Sequence, residues 1–207
     1  MDISELIEQR RSVKSYDPDK TISDEELKAI FEDVILSPSS FNLQHWTFVA
    51  VRSLETKKRL KEAAWGQQQV EDSSVTLLVC GKLDAYKDAP GIYEEAPREI
   101  QKKMLPMIQG FYDGKEQVIR DEAIRSASLA AMTLMYSATA RGWESCAMIG
   151  FDPDAVATIL KLTPNYIPVM MLVLGHKKDA LRPRPYRRPI SEVVRMESLD
   201  GPGLTVG

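Results

Sequence analysis

Residues 168–175 read P-V-M-M-L-V-L-G, eight residues without a charge. The run is far short of the roughly 20 apolar residues that a membrane helix needs. It also lacks the polar–apolar alternation of a strand with one face in water. A short, continuously apolar run suits a strand buried on both faces. V-T-L-L-V-C at 75–80 has the same character. Both are expected at the centre of a sheet covered by helices. W-T-F-V-A-V at 46–51 reads as a further strand, and its alternation places Trp46 with Phe48 in the core.

The flanking segments read as helices. Ile3, Leu6 and Ile7 share one helical face, with Asp2 or Ser4 available as cap. Ser23-Asp24-Glu25-Glu26 is a capping box, in which hydroxyl and carboxylate satisfy unpaired amides. Leu27, Ile30, Phe31, Val34 and Ile35 then follow the i, i+3, i+4, i+7, i+8 rule until Pro38. Residues 54–65 are helical. A long helix is expected from about Lys115 to Arg141, closed by Gly142. Its segment S-L-A-A-M-T-L-M-Y-S-A-T-A (128–140) is apolar on nearly every side. Such a helix calls for burial all round, either centrally or against a second subunit. Asp152-Pro153 starts another helix, as N-cap and first residue. Residues 84–114 read as a surface excursion, helical after Pro97 and suited to a lid. R-P-R-P-Y-R-R-P (182–189) cannot be helical and is expected to be extended. There is no repeat and no clean linker. One α/β-type or α+β domain is expected over 1–207.

Composition narrows the function. The 207 residues are 43% hydrophobic and 28% charged, with a net charge of -3. A nucleic-acid partner is disfavoured, since such domains carry a basic excess. The N-terminus has no apolar signal core, and no stretch suits a membrane span, so a cytoplasmic protein with no membrane partner is expected. Cys80 and Cys146 sit in apolar surroundings and read as buried free thiols. His45 and His176 lack metal-ligand spacing with either cysteine, so no metal site is expected. There is no nucleophile elbow and no phosphate-binding P-loop. The glycine-rich G-P-G-L-T-V-G (201–207) ends the chain with no helix after it, which rules it out as a dinucleotide fingerprint. An enzyme so equipped would rely on a bound cofactor.

Four stretches are rich in donors. Arg10-Arg11-Ser12-Val13-Lys14 could bind an anion, because guanidinium groups fork onto phosphate and lysine adds a point charge. Pro38-Ser39-Ser40-Phe41-Asn42-Leu43-Gln44 carries hydroxyls and amides that can read the edge of a heterocycle. Gly66-Gln67-Gln68-Gln69 offers three side-chain amides. Arg182, Arg184, Arg187 and Arg188 punctuate the tail. Each alone is equally a solvated helix end, an ordinary turn or a basic tail.

Their order is more telling. R-R-S-x-K is followed by P-S-S-x-N-x-Q-x-W, then G-Q-x-Q-V before an apolar strand, I-G-F-D-P after a long apolar helix, and R-R-P after the last strand. From Ile3 to about Val194 the chain resembles the FMN-dependent nitroreductase family, in its small single-domain branch. The resemblance implies an α+β fold of three layers with a central mixed or antiparallel sheet flanked by helices, and an intertwined homodimer with FMN at its interface and a tail (176–207) that reaches the partner. It implies that Arg10 and Ser12 hold the phosphate and ribityl end, with Arg11 in the same motif and Lys14 near the pyrimidine side of the ring. Arg187 completes the phosphate clamp, with Arg188 as a further candidate. Pro38, Ser39, Ser40, Asn42 and Gln44 match a loop laid against the flavin by the partner subunit. Gln69 and Gln67 match positions that bond the pyrimidine edge, and Ile149 and Gly150 match the segment beside N5. The implied activity is hydride transfer from NAD(P)H through flavin N5 to a nitroaromatic, quinone or similar acceptor, with ping-pong kinetics.

The chain departs from the family at three places. Gly66 stands where many members have Asn, Ile149 where some have an acid, and Pro185 where a basic residue precedes Arg187 by two. Two rival readings stay open. One keeps FMN for reductive dehalogenation or flavin fragmentation, with residues 84–114 making the choice. The other is a non-redox module for anionic partners.

Overall fold

The computed structural model describes residues 2–205. Four strands form an antiparallel sheet in the order β1-β2-β4-β3: β1 Trp46–Val51, β2 Val75–Lys82, β3 Glu144–Met148 and β4 Tyr166–Gly175. The two uncharged runs are the central strands, β2 and β4. One row of partners crosses the whole sheet, Val49–Leu78–Met171–Met148. Because side chains alternate along a strand, β2 and β4 feed two cores. Leu78, Cys80, Met171 and Val173 enter one, with Leu60, Val70 and Val156. Val75, Leu77, Val79, Leu172 and Leu174 enter the other. Hence neither strand can alternate polar with apolar.

The first face is covered by α3 (Leu54–Ala63), α4 (Gln69–Asp72) and α8 (Pro153–Ile159). The second is covered by α2 (Asp24–Val34) and α7 (Glu116–Ala140). Capping is as the sequence prescribes. Asp2 with Glu5 boxes α1 (Ile3–Gln9), Ser23 with Glu26 boxes α2, and the Asp152 carboxylate accepts from the amides of Asp154 and Ala155. Trp46 is half-buried against the second core.

Burial of α7 is one-sided within the chain: Ala123, Ser126, Ala127, Ala130, Ala131, Leu134, Ser137 and Ala138 are buried, while Leu129 is 48% exposed. The small residues let the helix lie close; a Cβ on Gly81 would sit 3.0 Å from the Ala123 Cβ. Strand β3 has no signal of its own. E-S-C-A-M lacks aromatic and β-branched residues. It is an edge strand, held by β4 on one side and a parallel bridge from Ser12 to Ser145 on the other.

The excursion at 84–114 is helical, with α5 (Ala89–Ile92) and α6 (Arg98–Tyr112), and it has its own core of Leu43, Ala85, Ala89, Ile108 and Tyr112. Beside that core lies His45, buried, with neither ring nitrogen hydrogen-bonded among the described residues. Its ring centroid is 5.7 Å from that of Tyr112. Burial holds its pKa below 6.5, and the Glu122 carboxylate only partly opposes this. The unfolded chain therefore binds a proton, as pH drops below about 6.5, that the folded chain refuses, so folding stability falls with pH there. The slope reaches at most about 1.4 kcal/mol per pH unit. Denaturation midpoints measured on either side of pH 6.5 should converge more in His45→Phe than in the wild type. Equal pH sensitivity in both would show that His45 does not titrate with folding.

Candidate functional site

Helix α1 ends at Arg10, whose backbone (φ -58°, ψ 120°) turns the chain into an extended segment along the free edge of β3. The Val13 amide donates to the Ser145 carbonyl at 3.0 Å. In an extended segment alternate residues share a side. Val13 is buried, and Ser12 and Lys14 are exposed opposite it. Arg10 and Ser12 line a cavity of about 390 Å³ with Ile7, Met132, Met135, Tyr136 and Ala147, closed by Arg184 and Arg187 from the tail. Lys14 is not in that wall; burial pushes the Cys146 thiol up, and the charges of Lys14 and Arg10 only partly oppose this.

The arginines divide their work. Arg11 turns from the cavity and donates to the Arg182 carbonyl at 2.6 Å. Arg184 donates from one nitrogen to the carbonyls of Ile7, Glu8 and Arg10 at 3.3, 2.7 and 3.2 Å, where α1 ends. Arg187 bonds only tail carbonyls, those of Pro185 and Tyr186. Arg188 lies further out, in an open concavity with Tyr186, Glu192 and Val193. Burial is the main cause holding the Arg10 guanidinium below its usual value, and the positive charges of Arg184, Arg187 and Arg11 add to it. Among the described residues none of these four arginines pairs with a carboxylate. Like charges brought together without a counter-charge favour an anion among them.

A second cluster lies past the other end of β3. Helix α3 is followed by left-handed Trp65 and Gly66 (φ 55° and 78°), which turn the chain toward the glutamines. The Gln67 amide donates to the Gly150 carbonyl at 2.7 Å, and the Gln69 amide donates to Gln67 Oε1 at 2.9 Å. Gln69 is buried and also lies 3.1 Å from the Met148 sulfur. A Cβ on Gly150 would come within 3.3 Å of the Trp65 ring and 3.4 Å of the Gln67 amide, so glycine permits this close seat. Ile149 beside it is 81% exposed. Strand β3 thus links Ser12 at Ser145, the cavity at Ala147 and the amides at Gly150. That strip is roughly 17 Å long at the usual rise per residue.

The third group stands apart. Residues 38–44 precede β1, at the opposite edge of the sheet. Phe41, Asn42 and Gln44 all have positive φ (52°, 54° and 50°), a backbone that persists only where its surroundings impose it. Tyr112 donates to Ser40 Oγ at 2.9 Å, Tyr93 to the Phe41 carbonyl at 2.9 Å, and the Gln44 amide to Ser39 Oγ at 2.9 Å. The Gln44 side chain reaches back to the Asn42 carbonyl, and Pro38 is exposed. Among the described residues no hydrogen bond joins this loop to the other two groups. The cavity walls at Met132, Met135 and Tyr136 have no individual signal in the sequence. Their i, i+3, i+4 spacing marks an apolar face, and only the packing of α7 against α1 turns it to Arg10.

The nitroreductase family model matches residues 7–176. The chain is 42% identical over 201 residues to MhqN of Bacillus subtilis (strain 168), assigned as an NAD(P)H nitroreductase, covering 93% of this chain and 98% of that protein. A Bacillus subtilis crystal structure assigned as the nitroreductase ydfN superposes with a TM-score of 0.90 at 42% identity, over 93% of this chain and 97% of that one. Another, from Exiguobacterium sibiricum 255-15, was assigned as a nitroreductase and solved in complex with FMN. It superposes with a TM-score of 0.88 at 33% identity, over 95% and 98% of the two chains.

Proposed function

Because the chain belongs to the nitroreductase family, we propose that it is an FMN-dependent oxidoreductase using NAD(P)H. The observation that carries this is the cavity in which arginines meet without a carboxylate, at one end of a strip that leads to amide donors. The donor set fits FMN: cations for the phosphate, a hydroxyl for the ribityl chain, amides for the pyrimidine edge. FMN held there would supply the redox chemistry for hydride transfer from NAD(P)H to an electron-poor acceptor such as a nitroaromatic or quinone, in a ping-pong cycle.

The chain's own part is binding and orientation. Arg10, Ser12 and Arg187 hold the phosphate end, and Lys14 stands toward the pyrimidine side of the ring. Gln67, held by Gly150 and Gln69, and Gln69, held by Gln67, would present amides to the ring, and hydrogen bonds there would tune its potential. Gly150 lets backbone approach. No side chain need serve as acid or base. Loop 38–44 lies at the far edge of its own sheet, so it serves the site of a second copy in a homodimer. Apolar surface on Ile3, Ile7 and Leu129, and a tail that exposes Tyr186, Ile190, Val193 and Leu199, support that assembly.

The test is the absorbance of freshly purified protein before and after anaerobic NADH or NADPH. Flavin bands that bleach are expected. Colourless protein that takes up no added FMN would overturn the proposal. Flavin bands unmoved by both nucleotides would leave the cofactor and overturn the activity.

A further inference from the structure

Pro185 stands where the family resemblance calls for a cation, yet the cavity is not short of positive charge. The neighbouring Arg184 lines it. Three carbonyls at the end of α1 hold one guanidinium nitrogen, at 2.7–3.3 Å. They are negative-end acceptors of a helix, a favourable seat for a cation. One of them belongs to Arg10 itself. The remaining nitrogens of Arg184 have no hydrogen-bond partner among the described residues, and five donors in a fork leave several for another acceptor. The reverse contact, from Arg11 to the Arg182 carbonyl, closes a clasp between the first motif and the tail. Arg184 also ranks first among the charges that disfavour a second positive group at Arg10.

Resting on the flavin reading above, we propose that Arg184 is a cofactor-phosphate residue of this chain. It replaces the cation absent at 185, and its bonds to α1 hold it and Arg10 on one anion.

The experiment titrates flavin-free protein with FMN and, separately, with riboflavin, which lacks the phosphate, following flavin fluorescence. For Arg184→Ala, FMN binding should weaken about 10- to 100-fold, the range expected for losing a charge-assisted contact. Riboflavin binding should stay within about threefold of wild type. Arg184→Lys retains the charge but not the fork, and its FMN loss should fall between the two. Equal losses for FMN and riboflavin would assign Arg184 a purely structural role and overturn the proposal, as would unchanged FMN binding. If Arg184→Ala does not fold, the same comparison on Arg184→Lys decides. Wild-type protein that binds neither flavin would sink the flavin reading itself.

Discussion

Replacing Arg10 by alanine is expected to lower FMN affinity about 100-fold and to leave riboflavin affinity nearly unchanged. The side chain leaves α1 at its last carbonyls and enters the cavity beside Arg184 and Arg187. It is half-buried, so its contact with a dianion is only partly screened. Removing one partner of such a charge-assisted contact costs roughly 2–5 kcal/mol, more than tenfold in affinity at the lower bound. Without ligand the effect on folding should run the other way or vanish. Arg10 has no carboxylate partner among the described residues, and the cations around it disfavour its charge. Two melting curves test this, one without FMN and one at saturation. The variant should match or exceed wild type in the first and fall below it in the second. A variant that binds FMN as tightly as wild type would remove Arg10 from the site.

Replacing Leu134 by alanine should cost about 3–4 kcal/mol of folding stability, with no cofactor involved. Leu134 has no exposed surface and packs with Leu77, Leu172 and Leu174 between α7 and the sheet. Leucine-to-alanine changes at such sites cost about 2–5 kcal/mol, through lost transfer energy and the cavity left behind. For a chain of this size that is a drop in melting temperature of roughly 10 °C. Leu129 provides the control. It is on the same helix, of the same type, and nearly half exposed. Its change to alanine should cost about 1 kcal/mol or less within the chain. Equal losses at the two positions would place Leu129 against a second copy of the chain.

Those two leucines mark a limit of sequence reading. S-L-A-A-M-T-L-M-Y-S-A-T-A has too little polarity for its periodicity to choose a face. The pattern demands burial but does not say where. The sheet takes the alanine-rich side because small residues let backbones approach. The larger residues Met132, Met135 and Tyr136 turn toward α1 and the tail. Strand β3 is hidden for a related reason: five residues with no aromatic or β-branched side chain become a strand only because β4 has an unpaired edge beside them. Arg11 and Arg184 show the same dependence. Each sits in a run of cations, and nothing local says that Arg11 binds a tail carbonyl while Arg184 caps a helix.

The amino-acid sequence by itself determined the elements whose signals are local. Capping boxes, the proline and glycine stops and the two uncharged runs each act within a few residues, and together they dictate central strands between helical layers. The order of the donor motifs also pointed to one family. Tertiary structure alone decided which donors meet. Arg10, Ser12, Arg184 and Arg187 are separated by up to 177 residues of chain, Gln67 reaches Gly150 across 83, and loop 38–44 is left at the far edge of the sheet. Contacts of that range are set by how two cores pack on one sheet, and packing depends on the whole chain at once.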